Sequence, residues 1–294
     1  MRVLVELPGP IDIPASLESF RRNGDDGIDR WDGRRLVRAA RVGDRSVAYV
    51  ATATGDLAHP RFEVEAEGPA EMGAVERAVH TLFLSPPPEF ESLLERDPVV
   101  AELNDRFPGL RPVLQPDLLT ALIRSISAQQ VNLRWAATTR RRLAERFGVR
   151  HKVAGTEVFS FDAGRLAGAG IQEIRELQFT TRKAEYITGL AVEIVSGRLD
   201  QDELQEMADE DVIDRLMGLR GIGRWTAEWI MARTLGRPVV VAGDLGVRKA
   251  VGAAYLSEPL PSEEEVRRAT EHWGPSALIA QSLLLHAMYG IGGF

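Results

Sequence analysis

Residues 209–250, DEDVIDRLMGLRGIGRWTAEWIMARTLGRPVVVAGDLGVRKA, decide the fold prediction for this chain. Their pattern predicts a helix, a tight hairpin at residues 219–223, a second helix, a short extended segment, and an acidic residue, Asp244, before a third helix. Gly221 and Gly223 bracket Ile222 in the hairpin. Glycine adopts positive φ and lets another chain approach closely, and Ile222 is expected to turn inward and fix the hairpin.

An isolated Gly-x-Gly is better explained as an ordinary helical turn with two C-terminal glycines. Here amphipathic helices lie on both sides and Asp244 follows at a definite distance, which favours the hairpin. The N–H groups of Gly221, Gly223 and the first turn after them, with Arg224 and Thr226, would then face outward at a helix N-terminus. Free N–H groups and the helix dipole both favour a phosphate there.

The chain divides into a β-rich part and a helical part. In the first 85 residues, apolar and polar residues alternate or valines cluster, which predicts an antiparallel sheet with a helix packed on one face. The predicted strands are residues 2–7, 36–40, 46–54 and 61–67, with a turn at Gly43-Asp44 and a helix at 71–84. Pro86, Pro87 and Pro88 cannot lie inside a helix and mark a stiff boundary.

Residues 89–294 show the helical spacing of apolar residues and are predicted to be all-helical. The predicted helices begin with one that opens at Pro116 and continue at residues 133–147, 171–177, 183–196, 211–217, 224–235, 245–254, 263–273 and 276–289. The fold class is therefore α+β: a small antiparallel β-sheet domain at residues 1–85 precedes an all-helical domain at 89–294, with its helix–hairpin–helix at about 209–235.

The 36 basic and 43 acidic side chains give a net charge of −7, and the chain has no cysteine. The lack of cysteine excludes a disulfide framework, a thiolate zinc site, a cysteine nucleophile and a cysteine-ligated iron–sulfur cluster. The acidic balance counts against nucleic-acid binding, because DNA-binding proteins usually carry a basic surface. Locally, however, residues 134–152 hold seven basic side chains against Glu145 alone. Runs such as residues 140–142 usually form a solvated face, so Arg248 and Lys249, just past Asp244, are better candidates for phosphate contacts.

Four segments carry a resemblance to a known family. GIGRWTAEW at residues 221–229, with Gly243-Asp244 downstream, resembles the helix–hairpin–helix DNA glycosylases that have a catalytic aspartate after the hairpin, in particular the 3-methyladenine DNA glycosylase II branch. SAQQVN at residues 127–132 resembles the Gln-Gln-Val segment of that branch, RKAE at 182–185 its R-K-A-x-x-I helix start, and EHWGP at 271–275 its W-x-P element. A β-rich domain before the helices is also typical of the branch.

The resemblance implies a monofunctional DNA glycosylase that hydrolyses the N-glycosidic bond of alkylated purines, of the 3-methyladenine and 7-methylguanine type, in base excision repair. Loss of the base passes through an oxocarbenium-like sugar, so a carboxylate near C1′ stabilises the developing charge and can orient or deprotonate water. Asp244 is the expected catalytic residue. The alternative is that Asp244 caps its helix through the N–H of Gly246 or Val247, worth about 1 kcal/mol, and both roles can coexist.

The residue after Gly-x-Gly-Arg separates two mechanisms. Family members that also cut the strand have a lysine there, which attacks C1′ and forms a Schiff base. This chain has Trp225 at that position, and Lys249 does not match it, so hydrolysis by water without lyase activity is expected. The absence of cysteine agrees, because the endonuclease III-like branch carries a cysteine-ligated iron–sulfur cluster.

Trp225 and Trp229 lie four residues apart and therefore on one helix face. Aromatic residues at this spacing commonly belong to a core. An N-alkylated purine is cationic, however, and stacking it on an indole gains about 0.5–2 kcal/mol over a normal base. Both tryptophans are therefore base-pocket candidates, with Phe20 from the N-terminal domain as a third. Relatives continue W-x-P with an aromatic residue where this chain has Ser276, which predicts a wider or differently selective pocket.

Flipping a base out of the helix costs a few kcal/mol. The resemblance assigns a wedge that fills the gap to residues 128–132, with Gln130 or Val131 as the candidate. Gln129 and Gln130 can equally be helix residues bonded to the backbone. No cofactor is required, but the hairpin of this family often holds a monovalent cation. The expected ligands are the main-chain carbonyl oxygens of Met217, Leu219 and Ile222.

The expected partner is double-stranded DNA that contains damaged bases, and the protein is expected to be a monomer in the cytoplasm, associated with the nucleoid. No membrane association is expected: residues 276–294 are uncharged, but Gln281, His286 and the closing glycines favour a buried helix with a short tail. Two other functions stay open. One is a non-catalytic helix–hairpin–helix protein that binds damaged DNA, and the other is a glycosylase for oxidised or deaminated bases.

Overall fold

The computed structural model describes residues 2–43 and 45–289. Its N-terminal part is a five-stranded antiparallel sheet in the order β1-β5-β4-β3-β2. The strands are β1 (Arg2–Glu6), β2 (Arg30–Trp31), β3 (Arg35–Val42), β4 (Arg45–Gly55) and β5 (Pro60–Ala66). The four predicted strands are confirmed as β1, β3, β4 and β5, and the short β2 is an addition. β3 and β4 pair as a hairpin, and Asp44 of the predicted turn lies outside the described residues.

One face of the sheet packs against two helices, α1 (Ile13–Arg22) and α2 (Met72–His80). Tyr49 of β4 lies in the same hydrophobic core as Leu17 of α1 and Val75 of α2, and all three are almost fully buried. The alternation along β4 explains this arrangement, because successive side chains of a strand point to opposite faces. The predicted helix at residues 71–84 is confirmed as α2, but it ends at His80, and Phe83 forms a β-bridge instead.

A β-hairpin covers the other face of the sheet. Its strands, β6 (Gly148–Val153) and β7 (Thr156–Phe161), are antiparallel, and Val158 packs with Val50 of β4. The prediction of an all-helical second part is corrected here. The signal for the hairpin lies in the sequence, since Ala154-Gly155 separates two alternating runs and adopts positive φ of 46° and 77°. The basic side chains at residues 134–152 overlap this stretch and obscure the signal.

The rest of the described chain is helical, and the predicted α+β fold class is confirmed. The helices are α3 (Glu89–Arg96), α4 (Pro98–Arg106), α5 (Leu118–Ala128), α6 (Leu133–Phe147), α7 (Ala163–Ala167), α8 (Ile171–Glu176), α9 (Thr181–Val195), α10 (Gln201–Glu206), α11 (Asp209–Met217), α12 (Arg224–Arg233), α13 (Leu245–Val251), α14 (Glu263–Thr270) and α15 (Ala277–Tyr289). A π-helical segment, Gly252–Leu256, follows α13, and 3-10 segments lie at Pro69–Glu71 and Glu271–Ser276.

The helices build two cores that meet at the candidate site. Ile126 of α5 and Ile230 of α12 belong to one core. Val247 of α13 and Trp273 belong to the other, which α15 completes. The segment that connects α12 with α13 passes from one core to the other, because Val241 belongs to the first core and Ala242 to the second. Asp244 lies at the end of this segment.

The division of the chain at residues 86–88 stays a prediction. Phe83 forms an isolated β-bridge with Val113, and Val113 belongs to the core of the sheet. Conversely, Ile28 belongs to the core of the helices. The sheet and the helices therefore share packed surface on both sides of the proline segment.

Helix α15 is a buried helix, as the sequence predicts. Nine of its 13 residues are buried. Within residues 2–43 and 45–289, no helix combines the length and the apolar character needed to span a bilayer. The predicted tail after α15 lies outside the described residues.

Candidate active site

The hairpin at residues 218–223 joins α11 to α12, as predicted. Two observations require glycine at position 221. Its φ is +90°, which other residues rarely adopt, and a Cβ at this position would lie 2.3 Å from the ring of Tyr186. Ile222 is buried, as predicted. Gly223 precedes α12 without a side-chain cap. The first N–H groups of α12 therefore keep their capacity to bind an anion.

The first turn of α12 contains two of the predicted DNA contacts. Arg224 is half exposed, and its Nε donates a hydrogen bond to the buried carboxylate of Glu228 at 3.0 Å. Thr226 is buried, and its hydroxyl accepts a hydrogen bond from Ser125 of α5 at 3.0 Å. Thr226 can therefore contribute only its main-chain N–H to an anion, whereas Arg224 keeps an exposed guanidinium.

Asp244 is the N-cap of α13. Its Oδ1 accepts a hydrogen bond from the N–H of Val247 at 3.0 Å, and its Oδ2 accepts one from Trp225 Nε1 at 3.2 Å. The cap is therefore present, and the second oxygen lies against a predicted pocket residue. Asp244 is only 6% exposed. Burial raises the pKa of Asp244 above the ordinary value of an aspartate, while these two donors act in the opposite direction.

Three predicted pocket residues line one cavity. Phe20, Trp225 and Trp229 come together around a volume of about 40 Å³. Trp229 is buried and Trp225 half-buried. Trp225 thus forms a wall of this cavity and also bonds to Asp244. The indole ring of Trp225 therefore lies between the carboxylate of Asp244 and the aromatic cavity, in contact with both.

Buried charged side chains line the same cavity, and the sequence did not predict them. Asp26 Oδ2 accepts hydrogen bonds from Arg124 Nη2 at 3.0 Å and from Arg140 Nε at 3.1 Å. The oxygens of Asp29 form ion pairs at 2.7 Å with Arg124 and at 2.6 Å with Arg38. Burial raises the pKa of Asp26, but Arg124, Arg140 and two backbone N–H groups outweigh it and hold that pKa below the ordinary value.

The loop after α5 lies against the hairpin. Gln129 Nε2 donates a hydrogen bond to the carbonyl of Gly221 at 3.3 Å, so the predicted backbone bonding holds for this residue although α5 ends before it. Lys183 Nζ donates to the carbonyls of Ser127 and Gln129 at 3.0 and 2.8 Å. Gln130 is exposed with a φ of +58°. The loop is thus fixed by bonds to the hairpin and to Lys183, and Gln130 is exposed to solvent.

Two large apolar side chains extend this exposed surface. Val131 is 38% exposed, and Trp135, in the first turn of α6, is 39% exposed. The guanidinium of Arg142 lies 5.5 Å from the ring centre of Trp135. Trp135 is not among the predicted site residues, because an aromatic residue inside a helix more often belongs to a core; its neighbours Asn132 and Arg134 are the signal for exposure in the sequence.

Residues 123–276, just over half of the chain, match the family model described as HhH-GPD superfamily base excision DNA repair protein. The chain belongs to this superfamily. It is 25% identical to a DNA-3-methyladenine glycosylase of Bacillus subtilis, over 98% of this chain and 97% of the relative. It is 27% identical to DNA-3-methyladenine glycosylase 2 of Escherichia coli, over 63% of this chain and 62% of the relative.

A solved structure agrees with these relatives along nearly the whole chain. The 3-methyladenine DNA-glycosylase of Archaeoglobus fulgidus superposes with a TM-score of 0.85 at 27% identity, covering 98% of both chains. The resemblance to the helix–hairpin–helix glycosylases and to their 3-methyladenine branch is therefore confirmed.

In this HhH-GPD protein, Ser276 does not line the aromatic cavity. Its side chain is fully buried at the end of the segment Glu271–Ser276, and its Oγ has no hydrogen-bond partner among the described residues. Ser276 is not among the side chains around this cavity, which differs from the expectation that it belongs to the base pocket. A small residue at position 276 therefore does not widen this cavity.

The basic stretch at residues 134–152 is largely neutralised by neighbouring groups in this HhH-GPD protein. Arg140 is buried against Asp26, which corrects the expectation of a solvated face. The other ion pairs are Arg141 with Asp25 and Glu145, Arg146 with Glu173, and Arg150 with Glu157. Arg248 Nε donates to the carbonyl of Pro261 at 2.7 Å, whereas Lys249 is exposed. Lys249 is therefore the better phosphate candidate of the two.

The carbonyl groups predicted to hold a cation lie at the end of α11 and in the hairpin. The carbonyl of Leu219 accepts a hydrogen bond from Ile222 N–H at 3.2 Å, and a carbonyl oxygen has a second lone pair for a cation. In the part of the chain that the structure describes, no group of three or more His, Asp or Glu side chains is arranged to hold a metal ion.

Proposed function

We propose that this HhH-GPD protein is a monofunctional DNA glycosylase, which flips alkylated purines out of double-stranded DNA and hydrolyses their N-glycosidic bond with water. The relatives named DNA-3-methyladenine glycosylase support this enzyme class and 3-methyladenine as a substrate, and the proposal extends the substrates to 7-methylguanine. One observation carries the proposal: Trp225 lines the aromatic cavity and donates a hydrogen bond to Asp244 at 3.2 Å.

The proposed role of Asp244 follows from its fixed position. The carboxylate is held at one oxygen by Val247 N–H and at the other by Trp225 Nε1. A pre-oriented negative charge in a buried site stabilises an oxocarbenium-like sugar more than the same charge in water. The carboxylate must be ionised to act, and it can also accept a proton from the attacking water.

Base binding in this proposal uses Phe20, Trp225 and Trp229 as stacking surfaces. The cavity of about 40 Å³ holds a few water molecules at most and is too small for a purine ring. We infer that the pocket walls move apart when a flipped base enters. A cationic alkylated base gains cation–π energy on the indole faces of about 0.5–2 kcal/mol, which favours it over a normal base.

The proposal excludes a Schiff-base step. The position of the family's nucleophilic lysine holds Trp225, and the amine of Lys183 is bonded to two main-chain carbonyls. Borohydride reduction during turnover is expected to give no covalent DNA adduct, and an adduct would contradict the monofunctional assignment.

DNA binding is assigned to the hairpin and to the loop beside it. The N–H groups of Gly221, Gly223 and the first turn of α12 would bind a phosphate, and Gln130 would fill the gap left by the flipped base. Arg224 and Lys249 add exposed positive charge. A monovalent cation on the carbonyls of the hairpin would further fix its conformation, and a comparison of DNA binding in potassium and lithium salts tests that part.

The function as a whole is tested with a panel of duplexes that each contain one lesion. Release of 7-methylguanine and 3-methyladenine above the spontaneous rate supports the proposal. Tight binding without an abasic product would instead indicate a non-catalytic damaged-DNA-binding protein. Release of 8-oxoguanine alone would indicate a glycosylase for oxidised bases.

A further inference from the structure

A buried carboxylate joins the helix after the hairpin to α14. Glu228 of α12 is 1% exposed. Its Oε1 accepts hydrogen bonds from Arg224 Nε on the same helix at 3.0 Å and from Arg267 Nη2 on α14 at 2.6 Å. Because both arginines bond to one oxygen atom, their guanidinium groups are held side by side.

The two arginines carry more positive charge than Glu228 neutralises. Two guanidinium groups face one buried carboxylate. The other carboxylate beside Arg267 belongs to Glu263, whose Oε2 lies 3.9 Å from Arg267 Nη2 and whose side chain is 54% exposed. Water and salt screen such a long, exposed pair. Two like charges that are held close together favour the binding of a further anion.

Both guanidinium groups also keep unused donors at the surface. The side chains of Arg224 and Arg267 are 48% and 36% exposed. Among the described residues, Arg224 donates through its Nε and Arg267 through its Nη2. The two Nη groups of Arg224 and the Nε and Nη1 groups of Arg267 stay available for a ligand. Planar guanidinium forks match the oxygen atoms of a phosphate group.

The pair lies between the two elements that are expected to meet DNA. Arg224 is the first residue of α12, directly after the hairpin. On the other side, a Cβ on Gly243 would lie 3.3 Å from Glu263 Oε1, so the first turn of α14 packs against the residue that precedes Asp244. A duplex that contacts both the hairpin and Asp244 therefore runs beside the exposed ends of Arg224 and Arg267.

We propose that Arg224 and Arg267, which Glu228 holds side by side, form a second phosphate subsite for the DNA backbone, apart from the N–H groups of the hairpin. Arg267 thereby becomes a DNA-binding residue, and α14 becomes part of the DNA interface. The inference rests on the proposed glycosylase function for the identity of its ligand.

The salt dependence of DNA binding tests the role of Arg267. The probe is a duplex with one tetrahydrofuran abasic-site analogue, which has no base to release. Arg267→Gln keeps a donor for Glu228 but loses the positive charge, so the slope of log K against log salt should fall by about 0.9. Arg268→Gln is the matched control, because Arg268 is the exposed next residue of α14 and faces a different direction. Its slope should equal that of the wild type.

A neutral backbone link identifies the phosphate itself. In a series of these duplexes, a methylphosphonate replaces one phosphate at a time near the abasic site. At the phosphate that Arg267 contacts, the wild type and Arg268→Gln should lose affinity, whereas Arg267→Gln should show no further loss. A loss of affinity that is equal in all three proteins at every position would contradict the contact.

Glu263→Gln tests the same subsite and leaves the bonds to Glu228 in place. Removal of the Glu263 charge beside Arg267 is expected to tighten binding of the duplex a few-fold. Glu264→Gln, at the exposed next position, should have a smaller effect. A Glu263→Gln variant that binds the duplex no better than Glu264→Gln would count against a phosphate at this point.

The outcomes separate this inference from the function on which it rests. If the wild type binds the duplex and releases methylated bases, but Arg267→Gln changes neither the salt slope nor the methylphosphonate effect, the subsite is overturned and the glycosylase proposal stands. If the wild type binds but releases no methylated base, the glycosylase proposal fails, and the binding data still decide on the subsite. If the wild type does not bind the duplex, both are overturned.

Discussion

Trp225 Nε1 donates a hydrogen bond to Asp244 Oδ2 at 3.2 Å, although the two residues are 19 positions apart and follow different turns of the chain. Trp225 comes directly after the hairpin, and Asp244 begins α13. The element that is expected to bind the DNA backbone is thereby linked to the carboxylate that is expected to act on the sugar. The same indole is a wall of the base cavity.

The indole N–H of Trp225 controls the acid limb of the pH profile. Burial raises the pKa of Asp244, and hydrogen bonds from Val247 N–H and Trp225 Nε1 lower it. The wild-type rate is therefore expected to fall on the acid side at a pH above the ordinary aspartate pKa. Trp225→Phe keeps an aromatic face but removes the N–H, so the pKa of Asp244 rises and the acid limb moves to higher pH. The measurement is the pH dependence of single-turnover base release.

Trp229→Phe is the matched control for that substitution. Trp229 lines the same cavity, but the contact with Asp244 is made by Trp225. The acid limb of Trp229→Phe should coincide with that of the wild type. An acid limb that moves equally in both variants would mean that the indole N–H of Trp225 does not tune Asp244.

The buried charge of Asp244 is expected to lower stability. Because its folded-state pKa is raised, the folded protein holds a proton that the unfolded chain releases, and the free energy of unfolding falls as pH rises through this window. Asp244→Asn removes the charge, and its single amide oxygen can keep the N-cap bond to Val247 N–H but not also the bond from Trp225 Nε1. Loss of that bond lowers the stability of the variant by a similar amount at every pH, whereas loss of the charge raises its stability relative to the wild type only as the pH rises above the ordinary aspartate pKa. Urea denaturation at acid and neutral pH measures this; a difference in the free energy of unfolding between variant and wild type that does not change with pH would contradict it.

The two hairpin glycines are expected to differ. Gly221→Ala forces a β-carbon to within 2.3 Å of the Tyr186 ring at a φ of +90°, and the backbone strain alone costs about 1–3 kcal/mol. At Gly223 nothing lies within 4 Å of an added Cβ, and φ is −99°. Thermal denaturation should show a large loss for Gly221→Ala and little change for Gly223→Ala.

The Gly223→Ala variant also tests the anion site. Its Cβ would stand where a phosphate approaches the N–H groups of α12, so it is expected to weaken DNA binding while remaining folded. Binding equal to that of the wild type would exclude the hairpin amides as the phosphate site.

Exposed cations near the hairpin are expected to set the salt dependence of DNA binding. Lys249 is exposed on α13. If it neutralises one phosphate, Lys249→Ala should reduce the slope of log K against log salt by about 0.9. Arg146→Ala is the control, because Arg146 is exposed but forms an ion pair with Glu173 at 3.5 Å. A slope that falls in the control and not in Lys249→Ala would place the DNA on a different face.

Local patterns predicted much of this fold. The alternation along β4 predicts that strand, and the two glycines predict the hairpin between α11 and α12, because both patterns reflect local backbone geometry. The hairpin of β6 and β7 is absent from the prediction, although the turn at Ala154-Gly155 indicates it, because the basic side chains dominate the pattern of this stretch. The short helices α3, α4, α7 and α10 are absent from the prediction, and each has nine residues or fewer. So few turns give a weak helical period, although α8 and α13, which are equally short, are predicted.

In the candidate site too, residues close together in the sequence are predicted, and residues brought together over long separations are not. Asp244, Trp225 and Trp229 lie in one segment of 20 residues, so their spacing and the family resemblance could assign them. Asp26 meets Arg124 and Arg140 across 98 and 114 positions. No local pattern in a single sequence reports such a contact, and Arg140 was therefore assigned to a solvated face. The resemblance alone places Ser276 in the pocket, whereas its side chain is fully buried and is not among those that line the cavity.

The most direct test of the central claim is single-turnover release of 7-methylguanine from a defined duplex by the wild type and by Asp244→Asn. The variant keeps the cap, the stacking residues and the hairpin, so its DNA binding should match that of the wild type. Release is expected to be fast for the wild type and slower by about 10²–10³-fold for Asp244→Asn, the usual effect of removing one preorganised electrostatic group. Equal release by both proteins, or no release by the wild type, would contradict the assignment of Asp244 as the catalytic carboxylate of a DNA glycosylase.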